Sequence, residues 1–209
     1  MVITIARTFG SGGKHAAESL SRRLGIPWYD KDIMTLASEA SGIDRRYFVK
    51  NNEKLSTRTF IKLLTGRKHE AYSITPIEGD FVSNEELFDY QSQLIRYLGL
   101  SRSCIILGKC ADNILGDLKE VYRFFIDAPL CDLTGEISSQ LGLVPEDAED
   151  MVRKTNKYRS DYYKYYTGRE WKDPANYDLM INSTRAGREN IDEIIIAYIE
   201  IMQGNLMTE

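Results

Sequence analysis

The stretch RTFGSGGKH, residues 7–15, follows the apolar run VITIA and sets glycines beside a lysine and a histidine. Glycines at 10, 12 and 13 let the chain curl so that successive backbone N–H groups converge on one point. A helix begun there adds the positive end of its dipole. Such a cradle binds phosphate, and Lys14 would add a point charge for the β- and γ-phosphates of a nucleotide. The stretch therefore assigns Gly10, Ser11, Gly12, Gly13, Lys14 and His15 to phosphate binding, and Lys14→Ala is expected to cut phosphoryl transfer by several orders of magnitude.

The match to the pattern G-x-x-x-x-G-K-[ST] is partial. Laying Gly13 and Lys14 on its Gly-Lys puts Thr8 at the first glycine and His15 at the Ser/Thr. The hydroxyl lost at His15 normally ligates Mg²⁺. A metal would then need a carboxylate such as Asp30 or Asp127, which end the second and fourth predicted strands. Plainer readings stand beside these: a glycine-rich turn with a solvated lysine, and an Asp127 that only helps to start the next helix. His15 and His69 build no convincing metal cage, and no Ser-His-Asp or Cys-His constellation is visible.

The elements that must position this loop alternate. VITIA (2–6), IPWYD (26–30), CIILG (104–108), VYRFFID (121–127) and YDLMIN (177–182) read as strands. CIILG is apolar throughout, as a strand buried on both faces should be. Between strands, Ala17, Leu20 and Leu24 recur at helical spacing before Gly25. Residues 31–40 predict a helix ending near Gly42, and a further helix follows CIILG through Leu115. Leu130, Leu133, Ile137 and Leu141 continue a helix from Pro129, and a long helix is predicted over 145–166. A last helix carries Ile191, Ile194, Ile195, Tyr198 and Met202 on one face. Residues 43–100 look like an insertion with helices and a mobile loop, with Leu87, Tyr90, Leu94, Ile95 and Leu98 as one stripe. Such alternation means an α/β fold: a parallel sheet covered on both sides, with its ligands at the carboxyl ends of the strands.

Composition narrows the class. A chain of 209 residues, 43% apolar and with net charge −4, fits one α/β domain with an inserted part, and argues against wholesale disorder and against nonspecific nucleic-acid binding. No apolar stretch approaches bilayer length, and MVITIAR lacks the marks of a signal peptide, so a cytoplasmic protein with no membrane partner is expected. Cys104, Cys110 and Cys131 read as buried thiols. Self-association is left open.

Taken together, ITIARTFGSGGKHAAESLSRRLGIPWYDKDI, CIILGKCADNIL, RFFIDAP, KTNKYRSDYYKYYTGREW and NYDLMINST resemble the bacterial cytidylate kinase-like family, a branch of the P-loop nucleoside monophosphate kinases. The resemblance covers nearly the whole chain and is weakest over 43–100. It implies a three-layer α/β/α P-loop kinase core (about 1–42 and 101–209), a helical NMP-binding insertion (about 43–100) and a lid (about 153–172). It implies ATP and Mg²⁺ as cofactors and transfer to a nucleoside monophosphate, CMP or dCMP foremost; a kinase of another small acceptor, or a nucleotide binder without turnover, are the alternatives. Lys154, Lys157 and Arg159 match the lid cations. At ~100° per residue Lys154, Lys157 and Lys164 share a helix face and Arg159 lies nearly opposite, with Tyr158, Tyr162, Tyr165 and Tyr166 as a packing stripe. Asp30, Lys109 and Asp112 match residues that engage the acceptor, with Lys109 in place of an arginine and Asp112 displaced by two positions.

Overall fold

The structure is a computed structural model that describes residues 1–30, 33, 36 and 84–206. The helix expected over 31–40 and most of the segment 43–100 lie outside the described residues. The chain divides into two compact units: Met1–Trp28 with Arg102–Glu209, and Tyr29–Ser101.

In the first unit the alternation yields β1 (Val2–Arg7), α1 (Gly13–Leu24) and β2 (Trp28–Tyr29, which crosses into the second unit). After the second unit come β3 (Cys104–Leu107), a short helix over Ala111–Ile114, and β4 (Val121–Asp127). Two helices follow at Leu130–Leu141 and Pro145–Thr167, then β5 (Leu179–Asn182), a turn of helix at Ser183–Ala186 and a last helix at Ile191–Leu206. The second unit contributes the helix Asn84–Ser101. The helices are numbered α1 to α7 in chain order: α2 is Asn84–Ser101, α3 Ala111–Ile114, α4 Leu130–Leu141, α5 Pro145–Thr167, α6 Ser183–Ala186 and α7 Ile191–Leu206.

The sheet runs β2-β3-β1-β4-β5, with β1 parallel to β3 and β4, and β4 parallel to β5. Alternate residues of a strand serve opposite faces. Ile3, Ile5, Phe124 and Ile126 pack with Ala16, Ala17 and Leu20 of α1 and with Ile191, Ile195 and Ile199 of α7. On the other side Leu133 and Ile137 of α4 pack with Ala148 and Val152 of α5, and Phe125 meets Trp171 and Tyr177 at 5.1 and 5.0 Å. The result is helix, sheet, helix, as expected. CIIL is fully buried, and Gly25 ends α1 at φ +65°, a turn that a side chain would strain.

Several expectations shift. In α7 the inward stripe runs through Ile199, while Met202 is 38% exposed. In α2 the buried residues are Leu87, Gln91, Leu94, Ile95 and Leu98, with Gln91 in place of Tyr90. Cys104 and Cys110 are buried, and burial pushes the Cys104 thiol up to about 11; Cys131 is exposed, contrary to expectation. In α5 the inward tyrosine is Tyr163, at 3% exposure, and the predicted stripe instead stacks on itself, Tyr162 lying 4.7 Å from Tyr166. A phenol tolerates water at its hydroxyl, so the tyrosines at 158, 162, 163, 165 and 166 do not by themselves choose an inward face. Among the described residues no helix is long and apolar enough to cross a membrane.

Candidate functional site

The loop between β1 and α1 lies at the carboxyl end of the central strand, where such sheets receive ligands. Its curl comes from Gly10 and Gly12, both at φ +87°. Gly10 must also stay small, because a Cβ there would sit 3.0 Å from the Leu133 carbonyl oxygen and 3.1 Å from Ile137. Ser11 is fully buried, with its hydroxyl 2.9 Å from the Thr8 carbonyl and 3.0 Å from that of Ile126. Gly12 caps α1 without a side-chain hydrogen bond, and Gly13 is the first helical residue. The loop is therefore a backbone cradle at a helix N-terminus.

Lys14 sits at the second helical position, 68% exposed; its ammonium is 3.4 Å from a Glu18 carboxylate oxygen and 5.9 Å from the centre of the Trp28 ring. His15 beside it is exposed. Setting Gly13 and Lys14 on the motif's Gly-Lys therefore misses by one: the pair that opens the helix is Gly12 and Gly13. Thr8 is not at a glycine position either. It is 1% exposed and donates to Asp127 Oδ1 at 2.9 Å.

Asp127 ends β4 beside the loop. Its Oδ1 also accepts the Ala128 N–H at 2.9 Å, and its Oδ2 pairs with the Lys172 ammonium at 2.6 Å. It does not cap α4, whose N-cap is Pro129. As a metal ligand this carboxylate is already committed to three donors, and among the described residues no group of three His, Cys, Asp or Glu side chains could hold a metal. A cation at Asp127 would take the place of Lys172, and the other candidate carboxylate, Asp30, stands directly after β2 in the second unit.

The cations expected of a lid divide. Lys154 pairs with Asp150, Lys157 with Asp161 at 2.7 Å, and Lys164 with Glu170, all on the exposed face of α5. Arg159, on the other face, turns to the loop: its Nη1 donates to the Arg7 carbonyl at 2.8 Å and its guanidinium lies 5.8 Å from the Phe9 ring centre. One turn earlier Asn156 accepts the Phe9 N–H at 2.7 Å. The helix thus meets the loop through Asn156 and Arg159.

At the turn after β3, residues 108, 109 and 110 follow one another at φ +69°, +60° and +56°. Lys109 and Cys110 carry side chains in a region that costs them about 1 kcal/mol or more each. Asp112 is 5% exposed and accepts the Tyr163 hydroxyl at 2.6 Å. Burial pushes its carboxyl up, against the Tyr163 hydrogen bond and the charges of Arg123 and Arg169. Its carboxylate is thus committed inward, tying α3 to α5. Asp30 directly follows β2, in the second unit.

Three residues beside the loop were not singled out from the sequence: Arg7, Asn156 and Arg188. Arg188 pairs with Glu136, and its stem would lie 3.6 Å from a Cβ on Gly12. Arg7 follows Ile3 and Ile5 at period two, which was a readable signal that it rises on the α1 side of the sheet. Asn156 and Arg188 reach the loop across the fold, Asn156 from 147 residues along the chain, and local patterns carry no such information.

Comparison with known proteins agrees with this architecture. An uncharacterized protein from Eubacterium ventriosum ATCC 27560 superposes with a TM-score of 0.70 at 23% identity, over 96% of this chain and 98% of that one. A gluconokinase from Sinorhizobium meliloti 1021 superposes with a TM-score of 0.58 at 11% identity, over 99% of this chain and 95% of that one. These likenesses establish the fold, a three-layer P-loop kinase fold. No curated protein matches the sequence. Residues 2–185 match the Cytidylate kinase-like family, and the chain belongs to that family.

Proposed function

We propose that the protein transfers the γ-phosphoryl group of ATP to a nucleoside monophosphate, with CMP or dCMP as the foremost acceptors. The observation that carries this reading is the glycine cradle at the start of α1 in a chain of the cytidylate kinase-like family. In the reaction an acceptor phosphate oxygen forms a bond to the γ-phosphorus, the bond from that phosphorus to the β,γ-bridging oxygen breaks, and ADP leaves. The protein's part is positioning and charge neutralisation.

The backbone of residues 10–15 would hold the ATP phosphates, with Lys14 at its outer edge. Lys154, Lys157 and Arg159 belong to the proposed lid over about 153–172, and Arg159 already reaches the loop. Lys154 and Lys157 would exchange their acidic helix neighbours for phosphate oxygens. Lys109 would serve the acceptor, and the family resemblance gives Asp30 the same role. Asp112 would act from behind, holding the turn at 108–110 against α5 through Tyr163. Asp127 or Asp30 would hold Mg²⁺ beside the ATP phosphates, where it would neutralise their charge, and no step is routed through it.

Nucleotide binding without turnover is the second reading. It is favoured by the pairing of Lys14 with Glu18 and of Lys172 with Asp127, which holds two cations away from a ligand. One assay separates the readings: purified protein with ATP and Mg²⁺ against CMP, dCMP, UMP, AMP and GMP, scored by nucleoside diphosphate. Diphosphate from CMP or dCMP is the expected result. Bound ATP without product from any acceptor would overturn the monophosphate kinase reading.

A further inference from the structure

The register of the loop leaves two departures from the phosphate-loop pattern. With Gly12 and Gly13 opening the helix, the first glycine of G-x-x-x-x-G-K falls on Arg7 and the lysine falls on Gly13. A glycine has become an arginine and a lysine has become a glycine. In space these two departures are one. A Cβ on Gly13 would lie 2.8 Å from both Cβ and Cγ of Arg7, so the arginine stem fills the place where a side chain of residue 13 would leave the helix. Gly13 is buried beneath it.

The same side chain explains a second glycine. At Gly108, where β3 ends, a Cβ would lie 2.3 Å from Arg7 Nη1 and 3.6 Å from Cζ. The guanidinium therefore lies against the turn at 108–110, which the Gly108 N–H ties to the Ile5 carbonyl at 2.9 Å. Two glycines from distant parts of the chain thus make room for one cation between the cradle and the β3 turn. Lys14, by contrast, is 68% exposed and engaged with Glu18.

The geometry points to Arg7 as the residue that supplies charge to the phosphates in this loop, in the role the pattern gives to its lysine. This rests on the phosphate-binding reading proposed above. The ligand class is the polyphosphate of a nucleoside triphosphate. A guanidinium presents a planar fork of donors that grips two phosphate oxygens at once, where an ammonium is a point charge.

The test measures ATP and AMP affinity by calorimetry, on protein shown to be folded by its thermal transition, for the wild type, Arg7→Gln, Arg7→Lys, Lys14→Gln and the double variant Arg7→Gly with Gly13→Lys. Arg7→Gln is expected to weaken ATP about 100-fold, the scale of lost charge-assisted hydrogen bonds, while AMP weakens far less. Arg7→Lys should fall between it and the wild type. The loss on Arg7→Gln should exceed that on Lys14→Gln by about tenfold or more. The double variant returns the cation to the helix and should recover ATP affinity to within about tenfold of the wild type.

Unchanged ATP affinity in Arg7→Gln overturns the inference, and so does a loss confined to Lys14→Gln. Should Arg7→Gln fail to fold, the double variant decides: ATP binding supports the inference, and a folded double variant that does not bind ATP overturns it. A folded wild type that binds no ATP overturns both this inference and the function on which it rests.

Discussion

Gly13 owes its identity to Arg7. A methyl group at position 13 would have to push against the β and γ carbons of that side chain, the part nearest its own backbone and least able to swing away. Gly13→Ala should therefore cost about 1–3 kcal/mol, the range for overpacking a filled site. In an Arg7→Gly background, which removes both carbons, most of that cost should vanish, giving a coupling of about 1 kcal/mol or more in a double-mutant cycle read by urea unfolding. Gly25 is the control: a Cβ there meets nothing within 4 Å, but φ is +65°, so Gly25→Ala should cost about 1–2 kcal/mol through backbone strain alone and show no coupling to Arg7. Additive costs for positions 7 and 13 would show that the stem does not hold that space. The sequence disclosed the glycines and the cations here but not their register. Gly13-Lys14 and Gly12-Gly13 are equally plausible helix openings as strings, and only the backbone turn at Gly12 separates them.

The strands and most helices were legible in the sequence because burial writes a regular pattern. CIIL and VYRFFID needed only apolar runs bounded by turn residues, and Gly25 marked where α1 stops. The face of α5 was not legible, since tyrosine fits both a core and a surface. Its orientation is set by tertiary partners: Tyr163 on the Asp112 carboxylate, and Asn156 and Arg159 on the loop. Tyr163→Phe removes the donor to a buried carboxylate and should cost about 1–3 kcal/mol in urea unfolding, whereas Tyr165→Phe, at a 67% exposed position, should stay within about 0.5 kcal/mol. Equal effects from the two would refute the anchoring role of Tyr163. The same orientation separates the cations of the proposed lid. Removing exposed i,i+4 ion pairs such as Lys154–Asp150 changes stability little, so any loss of transfer in Lys154→Ala or Lys157→Ala reports on the reaction itself. Arg159→Ala should lower kcat/KM by about tenfold or more, from the scale of a charge-assisted contact, and an unchanged kcat/KM would remove Arg159 from the proposed site.

Across the whole molecule, two carboxylates with opposite environments shape how stability depends on pH. Asp192 joins α7 to α1. Burial opposes its ionisation, but the Ser19 hydroxyl at 2.6 Å, the Arg23 guanidinium at 3.0 Å and the Glu193 N–H at 3.0 Å outweigh this and hold its carboxyl below the ordinary 3.8. Asp112 lies above 3.8, chiefly because burial penalises its charge. The signs follow from proton linkage. For Asp192 the unfolded chain binds the proton more readily, so its contribution is complete above 3.8 and is lost as pH falls through the lower folded value. For Asp112 the folded chain binds the proton more readily, so stability falls as pH rises from 3.8 through the higher folded value, and above that the cost is constant. Asp192→Asn should therefore lower stability by about 1–2 kcal/mol near neutrality, the scale of a hydrogen bond to a charged group, and flatten the acid limb of the profile. Asp112→Asn should act in the opposite sense, narrowing the difference between the mildly acidic and the neutral range while its amide oxygen still accepts from Tyr163. Urea midpoints measured from pH 3 to 8 on the wild type and both variants test this pair, and profiles that shift in parallel without changing shape would show that neither carboxylate is linked to folding as its surroundings require.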